Sequence, residues 1–295
     1  MDKAKTDNTE ASEEAIQHKI DTEIKKSKPS ARDAAKSHGE ILKEQILEGL
    51  EVYDRSAASI FLSSLTAGME IGFSYMLMTA LFYFLMPYVD ESIIFKLIAL
   101  VYPLGFILVI FGQSVLFTEQ TSLLTLPVLN NKRSVKSLLK IWGTVILGNL
   151  IGGYIIATVL LWIAPQLNVL NNSVVESIAL HVTGYSPFVI FVSGILAGWM
   201  MGLLSWLITS SRDTISRIVI IFLITATMGF VGLHHSIIGS IEVFAGLITS
   251  PEINLADYVK FQSFALLGNA IGGVVFVALF KYRAFVSNID IYSNK

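Results

Sequence analysis

The 295-residue chain lacks cysteine and has few charged residues. The absence of cysteine excludes disulfide bonds, thiolate metal ligands and thiol catalysis. Charged residues make up 15% of the chain, against about 25% in an ordinary soluble domain. The net charge of −2 provides no basic surface, so nucleic acid is not an expected partner. We also expect no cleavable signal peptide, because the chain starts with a long, polar and charged segment.

The charges that are present concentrate at the N-terminus. Residues 1–56 hold 10 Lys and Arg and 13 Asp and Glu, whereas residues 57–283 hold only 10 and 9. So few charges cannot cover the surface of a soluble domain. The sequence therefore predicts an all-α integral membrane domain over 57–283, a polar cytoplasmic tail over 1–56 and a short cytoplasmic tail over 284–295.

The N-terminal tail divides into two parts. Up to about Lys36 it has few large apolar residues, so we expect disorder there. Ser37 and Glu40 then have the spacing of a capping box. This pattern predicts an amphipathic helix over about 39–52 that lies on the inner membrane face.

Six apolar segments are long enough to cross a bilayer, which takes about 20 residues. They are Ala57–Met86, Leu97–Leu129, Ile141–Ile163, Pro187–Ser211, Ile218–Ser250 and Phe261–Phe280. If the N-terminus is cytoplasmic, the inner connections hold eight Lys and Arg residues and the outer ones hold two. The positive-inside rule thus predicts a multi-pass protein of the cell (inner) membrane with both termini in the cytoplasm.

The two halves of the apolar domain repeat one another. Residues 147–153 read LGNLIGG and residues 267–273 read LGNAIGG, an offset of 120. Gly68 and Gly72 of the first span match Gly194 and Gly198 of the fourth at an offset of 126. Because each half has three spans, an odd number, the sequence predicts two inverted three-helix repeats.

The second span of each half is expected to be broken. Each runs for 33 residues, and polar residues interrupt them at 112–120 and 229–236. A straight helix of that length is about 50 Å long, against a hydrocarbon core of about 30 Å. Irregular backbone at that depth must line a cavity or be buried, so the breaks are expected to frame a pore, with Gly112 and Gly232 as structural residues. The half-helix N-termini would offer N–H donors to an anion or to a polar solute.

These interrupted segments resemble the formate/nitrite transporter family. Residues 112–118, GQSVLFT, are similar to its G-x-x-L-F-T segment, and residues 229–237, GFVGLHHSI, to its G-F-x-H-S-I segment. The two G-N-x-I-G-G runs correspond to its third and sixth helices. The resemblance spans essentially all of 57–283 and implies an aquaporin-like homopentamer with one pore per protomer. It also implies that small monovalent anions pass a central histidine with a proton, between two apolar constrictions.

The chain departs from that family at several positions. Val115 stands where the family has an acidic residue, His234 where it usually has Glu, and Gly198 where it has Asn. A Lys that precedes the fourth helix in the family falls near Val182, with only His181 beside it. These departures indicate a divergent, YfdC-like branch.

His235 is the predicted central residue, because histidine inside a membrane helix usually faces a cavity or a partner. It could instead be a neutral side chain that bridges backbone groups at the break. Thr118 is expected to bond to the histidine or the solute, or to a freed carbonyl. Leu116 and Phe117 are expected at a constriction, or in the core. His234 is also predicted to line the pore. We expect no metal ion and no other cofactor.

Two asparagines and three acids complete the predicted set. Asn149 and Asn269 are expected to cap the broken helices or to let helices approach closely. Glu119 is expected at the pore or its vestibule, and Glu70 against backbone or hydroxyl groups at a break. Glu242 is expected in an outer vestibule or at an interface.

The function predicted is a channel or transporter for small monovalent anions such as formate or nitrite, coupled to a proton. An alternative keeps the fold but passes a neutral or cationic solute, because extra acids are present. A membrane enzyme or a receptor is a further alternative. The sequence has no nucleophile-base motif, hence no expected catalytic residue, and its outer loops are too short to form a receptor domain.

Overall fold

The computed structural model describes residues 3–26 and 35–293, and the regular secondary structure of these residues is entirely helical. The helices are α1 Lys3–Lys26, α2 His38–Asp54, α3 Ala57–Leu85, α4 Glu91–Leu97, α5 Pro103–Phe111, α6 Phe117–Leu129, α7 Val135–Ile163, α8 Asn172–Thr183, α9 Pro187–Ser210, α10 Thr214–Val231, α11 Ser236–Thr249, α12 Leu255–Ile271 and α13 Phe280–Ser293. A 3₁₀ turn, Ile98–Leu100, joins α4 to α5, and a π-helical segment, Gly272–Leu279, joins α12 to α13.

Six stretches within the described residues are long and apolar enough to span a membrane. They are Ala57–Leu85, Glu91–Phe111, Val135–Ile163, Pro187–Ser210, Thr214–Val231 and Leu255–Ser287. The remaining apolar helices, α6 and α11, have 13 and 14 residues and continue the second and fifth spans after a break. The predicted all-α fold with six spans is confirmed.

The breaks lie where the polar interruptions predicted them. The first occupies residues 112–116 between α5 and α6, and the second occupies residues 232–235 between α10 and α11. Each break contains one residue in the left-handed region, Gln113 with φ 56° and Gly232 with φ 76°. Such a φ costs glycine nothing but is strained for glutamine. The two broken helices occupy corresponding places in the inverted repeat.

The register between the first and fourth spans differs from the predicted one. The Ser63 hydroxyl accepts a hydrogen bond from the Val115 N–H at 3.2 Å, and the Ser193 hydroxyl accepts one from the His234 N–H at 3.0 Å. Equivalent residues of the two spans are thus 130 positions apart. The predicted offset of 126 is wrong by four residues, or about one helical turn.

The glycines explain why the predicted offset of 126 was wrong and why the observed offset is 130. Glycine recurs at every fourth residue in both spans, so the two registers match glycine to glycine equally well. The backbone contacts decide between them, because a Cβ on Gly68 would lie 2.1 Å from the Asn149 carbonyl oxygen and a Cβ on Gly198 would lie 2.1 Å from that of Asn269. These small residues let the backbones of α3 and α7, and of α9 and α12, touch.

The N-terminal tail is helical in two parts. The prediction of disorder up to Lys36 is wrong for α1, where Ile20 and Ile24 bury their side chains in a cluster that also contains Leu42 and Tyr282. Residues 1–2 and 27–34 of that prediction lie outside the described residues. Helix α1 is therefore held by an apolar contact with this buried cluster, which could not be predicted from its polar composition.

Helix α2 covers the predicted amphipathic segment, and the Ser37 hydroxyl caps its start by accepting from the Glu40 N–H. Its inner side packs against α6 and α9. Gln45 is buried there and donates to the hydroxyls of Ser205 and Thr209, both at 3.0 Å. These contacts position α2 beside the first break.

Candidate functional site

Asn149 ties the first break to the neighbouring helices. Its Oδ1 accepts a hydrogen bond from the Phe117 N–H at 2.8 Å, at the start of α6. Its Nδ2 donates to the carbonyl oxygens of Ser64 and Val115, at 2.8 and 2.9 Å. The side chain is 0% exposed, so all three bonds lie out of water and satisfy backbone groups that the break leaves free.

Asn269 does the same at the second break. Its Oδ1 accepts from the Ser236 N–H at 2.8 Å, and its Nδ2 donates to the carbonyl oxygens of Gly194 and His234. The two asparagines therefore lie at equivalent positions of the inverted repeat, as the offset of 120 implied. Each fixes the N-terminus of a half-helix, α6 or α11.

His235 is the N-cap residue of α11. Its Nδ1 accepts from the N–H groups of Ile237 and Ile238, at 3.3 and 3.4 Å. Because Nδ1 accepts, the ring proton lies on Nε2, which is 2.7 Å from the Thr118 Oγ1. The imidazole is thus neutral, bridges backbone groups at the break and contacts Thr118 at the same time. The sequence left two interpretations open, a pore histidine and a neutral histidine that bridges backbone groups. The geometry of His235 has features of both.

The backbone donors of α11 are already used. The N–H groups of Ser236, Ile237 and Ile238 all bond to Asn269 or His235. The expectation that the half-helix N-terminus offers these donors to an anion is therefore wrong for α11. Polar contacts with a solute at this point must come from the side chains of Thr118 and His235.

A cavity of about 50 Å³ lies on one side of the Thr118–His235 pair. We call it the imidazole cavity, because its walls include three histidines. It is lined by Met78, Phe95, Ile98, Ala99, Tyr102, Ile178, His181, Val182, Tyr185, Gly229, Gly232, Leu233, His234, His235, Ile238, Gly239, Glu242 and Phe261. Its walls thus combine aromatic rings and imidazoles with a single carboxyl group.

Two histidines of this cavity are held by neighbours other than solute. His234 contacts the Ser193 hydroxyl through Nδ1 at 2.8 Å and the Val182 carbonyl oxygen through Nε2 at 3.2 Å. His181, on α8, stacks on the Phe95 ring with a centroid distance of 3.7 Å. Burial lowers the pKa of His181, and the nearby Lys96 lowers it further. The His181–Phe95 stack therefore closes part of the cavity with a ring that stays neutral near pH 7.

A larger cavity of about 470 Å³ adjoins the first break. We call it the acidic cavity. It is lined by Glu44, Glu48, Glu51, Val52, Arg55, Ile110, Phe111, Gln113, Ser114, Val115, Glu119, Gln120, Ser205, Ile208, Thr209 and Arg217. Helix α2 supplies the first four of these residues, so it forms one wall of the cavity.

The predicted acids occupy different places. Glu119 is 9% exposed, lines the acidic cavity and accepts from the Gln120 amide at 2.6 Å. Glu70 does not line either cavity and packs against the first break, where a Cβ on Gly112 would be 3.0 Å from its Oε1. Glu242 is 4% exposed and lines the imidazole cavity. The structure therefore separates Glu70 from the cavities that contain the other two acids.

Leu116 and Phe117 are buried in the protein, 0% and 1% exposed, and neither lines the imidazole cavity or the acidic cavity. The Phe117 ring meets the Trp142 ring of α7 edge-on at 5.4 Å, a packing contact. The aromatic side chain beside the histidine is instead Phe106, whose ring lies 5.2 Å from that of His235 and 5.3 Å from that of Tyr102. Phe106 and Tyr102 were not predicted as site residues. In an apolar segment, only their spacing of one helical turn distinguishes them from the other apolar residues.

No metal centre is evident in the part of the chain that the structure describes. There, no three His, Asp or Glu side chains are grouped closely enough to hold a metal ion. His234 and His235 direct their ring nitrogens to different partners, Ser193 and Thr118. The short contact between Thr118 and His235 therefore joins the start of α6, which contributes to the acidic cavity, to a histidine that lines the imidazole cavity.

The sequence and the fold match known transport proteins. The family described as "Formate/nitrite transporter" matches residues 39–283. The chain is 29% identical over 241 residues to "Inner membrane protein YfdC" of Escherichia coli, covering 80% of this chain and 74% of that protein. It is 29% identical over 222 residues to "Nitrite transporter NirC" of Salmonella typhimurium, covering 74% of this chain and 80% of NirC.

A solved structure shares the same arrangement of helices. The "Pentameric formate channel with formate bound" aligns with a TM-score of 0.68 and 24% identity, over 78% of this chain and 98% of that one. The resemblance of the motifs to the family is confirmed by its match to nearly the whole described domain. The chain therefore belongs to the formate/nitrite transporter family and is a membrane transport protein, not an enzyme.

Proposed function

We propose that the chain forms a pore for small monovalent anions of the size of formate or nitrite, and that a proton accompanies each anion past His235. The observation that carries this proposal is the 2.7 Å contact between Thr118 and His235. His235 lines the imidazole cavity, and Thr118 directly precedes Glu119 and Gln120, which line the acidic cavity. In this proposal, a solute that moves between the cavities passes this pair. The family name and the nitrite transporter NirC support an anionic cargo.

The surroundings of the pair favour a neutral form of the solute at that point. Phe106 and Ile238 are buried beside it, and no Lys or Arg side chain lines the imidazole cavity. Moving a bare anion into such an apolar region is costly, whereas a protonated acid crosses at a much smaller cost. The Nε2–H of His235 and the hydroxyl of Thr118 then provide hydrogen bonds that the solute loses from water.

We further propose that the protein is a homopentamer of the inner membrane with both termini in the cytoplasm. The relative YfdC is named an inner membrane protein, and the solved formate channel is pentameric. The Lys and Arg residues of the loops support this orientation. In that orientation the acidic cavity opens toward the cytoplasm, because α2 forms one of its walls.

A second candidate cargo is a small neutral or cationic solute. The observation in its favour is that Glu242 is the only acidic residue among those that line the imidazole cavity, and that no Lys or Arg lines it. An ionised carboxyl group there would attract cations and repel anions. Ammonium and methylammonium are suitable probes of this alternative.

Uptake by proteoliposomes tests the two candidates. Vesicles that contain the purified protein are given labelled formate, nitrite or methylammonium, and a dye in the lumen reports its pH. We expect formate and nitrite to enter faster than in protein-free vesicles and to acidify the lumen. The variant His235→Asn removes the titratable ring and should slow this uptake. Uptake of methylammonium without uptake of either anion would overturn the proposal in favour of the second candidate.

A further inference from the structure

The carboxyl group of Glu242 has no partner that explains its burial. The residue is 4% exposed, and within the described part of the chain its carboxyl group forms no hydrogen bond. It lies on α11, in the continuation of a membrane-spanning segment. Burying an ionised carboxylate without a partner is costly, and binding a proton removes most of that cost. Glu242 therefore provides a carboxyl group that can carry a proton inside the imidazole cavity.

Glu242 shares one face of its helix with the central histidine. His235, Ile238, Gly239 and Glu242 all line the imidazole cavity, and their spacing places them on the same side of a helix. Seven residues separate Glu242 from His235, a rise of about 10 Å. Glu242 therefore lies in the wall of the same cavity as His235, about two helical turns further along α11.

The groups around Glu242 supply no competing charge. The titratable side chains that share its cavity are Tyr102 before α5, His181 on α8, Tyr185 after α8, and His234 and His235 at the break. Tyr75 of α3 is buried close enough to Glu242 to interact with it electrostatically, and the Tyr75 hydroxyl has no hydrogen-bond partner among the described residues. Tyr154 of α7 and Tyr258 of α12 bond to each other, and Glu119 of α6 faces the acidic cavity.

We propose that Glu242 donates its proton to a weak-acid anion in the imidazole cavity, so that the solute passes His235 as the neutral acid. This inference rests on the proposed function. In the step, the O–H bond of the Glu242 carboxyl group breaks and an O–H bond forms on the anion. Glu242 is left as a carboxylate and regains a proton from water on its own side of the membrane. No electron is transferred, and one proton crosses with each anion.

The proposal assigns the imidazole cavity to weak-acid anions of small size. Its volume of about 50 Å³ has room for a group as small as formate or nitrite. An anion of a strong acid, such as nitrate, does not accept a proton from a carboxyl group and is expected to be excluded. Glu242 is thus a specificity-determining residue as well as a proton donor.

The test compares wild-type protein with Glu242→Gln, which keeps the shape of the side chain but cannot donate a proton to an anion. Glu242→Asp keeps the carboxyl group. Glu252→Gln is a matched control, because Glu252 is an exposed acid three residues beyond the end of α11. Initial rates of labelled formate uptake are measured in proteoliposomes at about pH 7.5 and about pH 5, where the solution itself holds far more of the neutral acid. Elution volume in detergent reports correct assembly.

We expect Glu242→Gln to lower uptake at about pH 7.5 by at least about tenfold, and at about pH 5 by less than about twofold. Glu242→Asp should retain most of the activity, and Glu252→Gln should match wild type. An equal loss at both pH values would mean that Glu242 is structural, and no loss at either would mean that it donates no proton. Either result overturns the inference. Wild-type vesicles that take up no formate or nitrite would instead overturn the proposed function, and the inference with it.

Discussion

The Thr118 hydroxyl and the His235 imidazole meet across the inverted repeat, with Oγ1 and Nε2 2.7 Å apart although the residues are 117 positions apart in sequence. Each residue lies at the start of a half-helix that an asparagine holds in place. Both are buried, with 0% and 2% of their surfaces exposed. The contact therefore depends on both breaks, and a change at either break is expected to alter it.

Removing the Thr118 hydroxyl is expected to slow transport without unfolding the protein. Thr118→Val keeps the branched shape but leaves the Nε2–H of His235 without its partner. The solute also loses the hydrogen bond that the hydroxyl would provide, worth about 0.5–1.5 kcal/mol, so we expect formate uptake to fall by up to about tenfold. Thr118→Ser retains the hydroxyl and is expected to retain most of the uptake. Equal rates for the valine and serine variants would show that the hydroxyl has no part in permeation.

The two asparagines at the breaks are expected to be essential for stability. Asn149→Ala and Asn269→Ala each remove three buried hydrogen bonds. At about 1 kcal/mol for each bond, the loss is about 3 kcal/mol or more, because freed backbone groups stay buried. The amount of protein that elutes in its native oligomer after heating measures this loss. Asn172→Ala, at the exposed start of α8, is the control and should leave the thermal midpoint unchanged.

Substituting the glycine of the α9–α12 crossing is expected to separate the helices. A Cβ on Gly198 would lie 2.1 Å from the Asn269 carbonyl oxygen, so Gly198→Ala must push α12 away. We expect loss of folded protein from detergent extracts, measured by size exclusion. Gly143→Ala is the matched control, because a Cβ on Gly143 meets nothing within 4 Å, and it should fold normally. Normal yield of Gly198→Ala would contradict the close backbone contact.

The sequence predicted the broken helices because polar residues interrupt long apolar segments at both sites. It did not predict the register of the first and fourth spans. Glycines such as Gly68 and Gly72 recur at one-turn intervals, and a shift of one turn still pairs glycine with glycine. The contacts of Ser63 and Ser193 with the breaks, and those of Gly68 and Gly198 with the two asparagines, distinguish the registers. The periodicity of the glycines identifies the helix face that packs against the neighbouring helix. The register of the two helices is determined by individual contacts along that face.

The candidate site was predictable only in part, and the reasons are physical. Thr118 and His235 are polar in an apolar segment, so they were visible in the sequence. Phe106 and Tyr102 were not, since an aromatic residue in an apolar segment has the same pattern whether it meets lipid, the core or a pore. Helix α1 was missed because the burial of Ile20 and Ile24 depends on distant residues such as Leu42.

The acids at the two sides of the first break are expected to have different roles. Glu119 lines the acidic cavity, whereas Glu70 lies against Gly112 and lines neither cavity. We expect Glu119→Gln to change the pH profile of formate uptake, because it removes a titrating group from the pathway. Glu70→Gln should instead lower the yield or the thermal midpoint and leave the pH profile unchanged. The opposite pair of results would reverse the assignment.

The docking of α1 is expected to depend on pH through Asp21 and Lys132. The Lys132 ammonium group donates to the Asp21 carboxylate at 2.5 Å, and Gln17 and Asn130 lie in the same cluster. Burial alone would raise the pKa of Asp21, but the hydrogen bond and charge of Lys132 outweigh it, so the pKa is lowered. The pair therefore stabilises docking above the unfolded-state pKa of about 3.9, and this contribution is lost as the pH falls through the lower, folded-state value.

Spin labels can measure this docking directly, because the chain contains no cysteine of its own. Labels on Lys19→Cys and Lys136→Cys, two exposed positions on α1 and α7, report the distance between the helices. We expect a narrow distance distribution at about pH 7 that broadens as the pH falls through the lowered pKa of Asp21 in the docked state, where Asp21 takes up its proton. Lys132→Ala should broaden it already at about pH 7, since the partner of Asp21 is then missing. A distribution that stays narrow in that variant would mean that burial of Ile20 and Ile24 alone holds α1 in place.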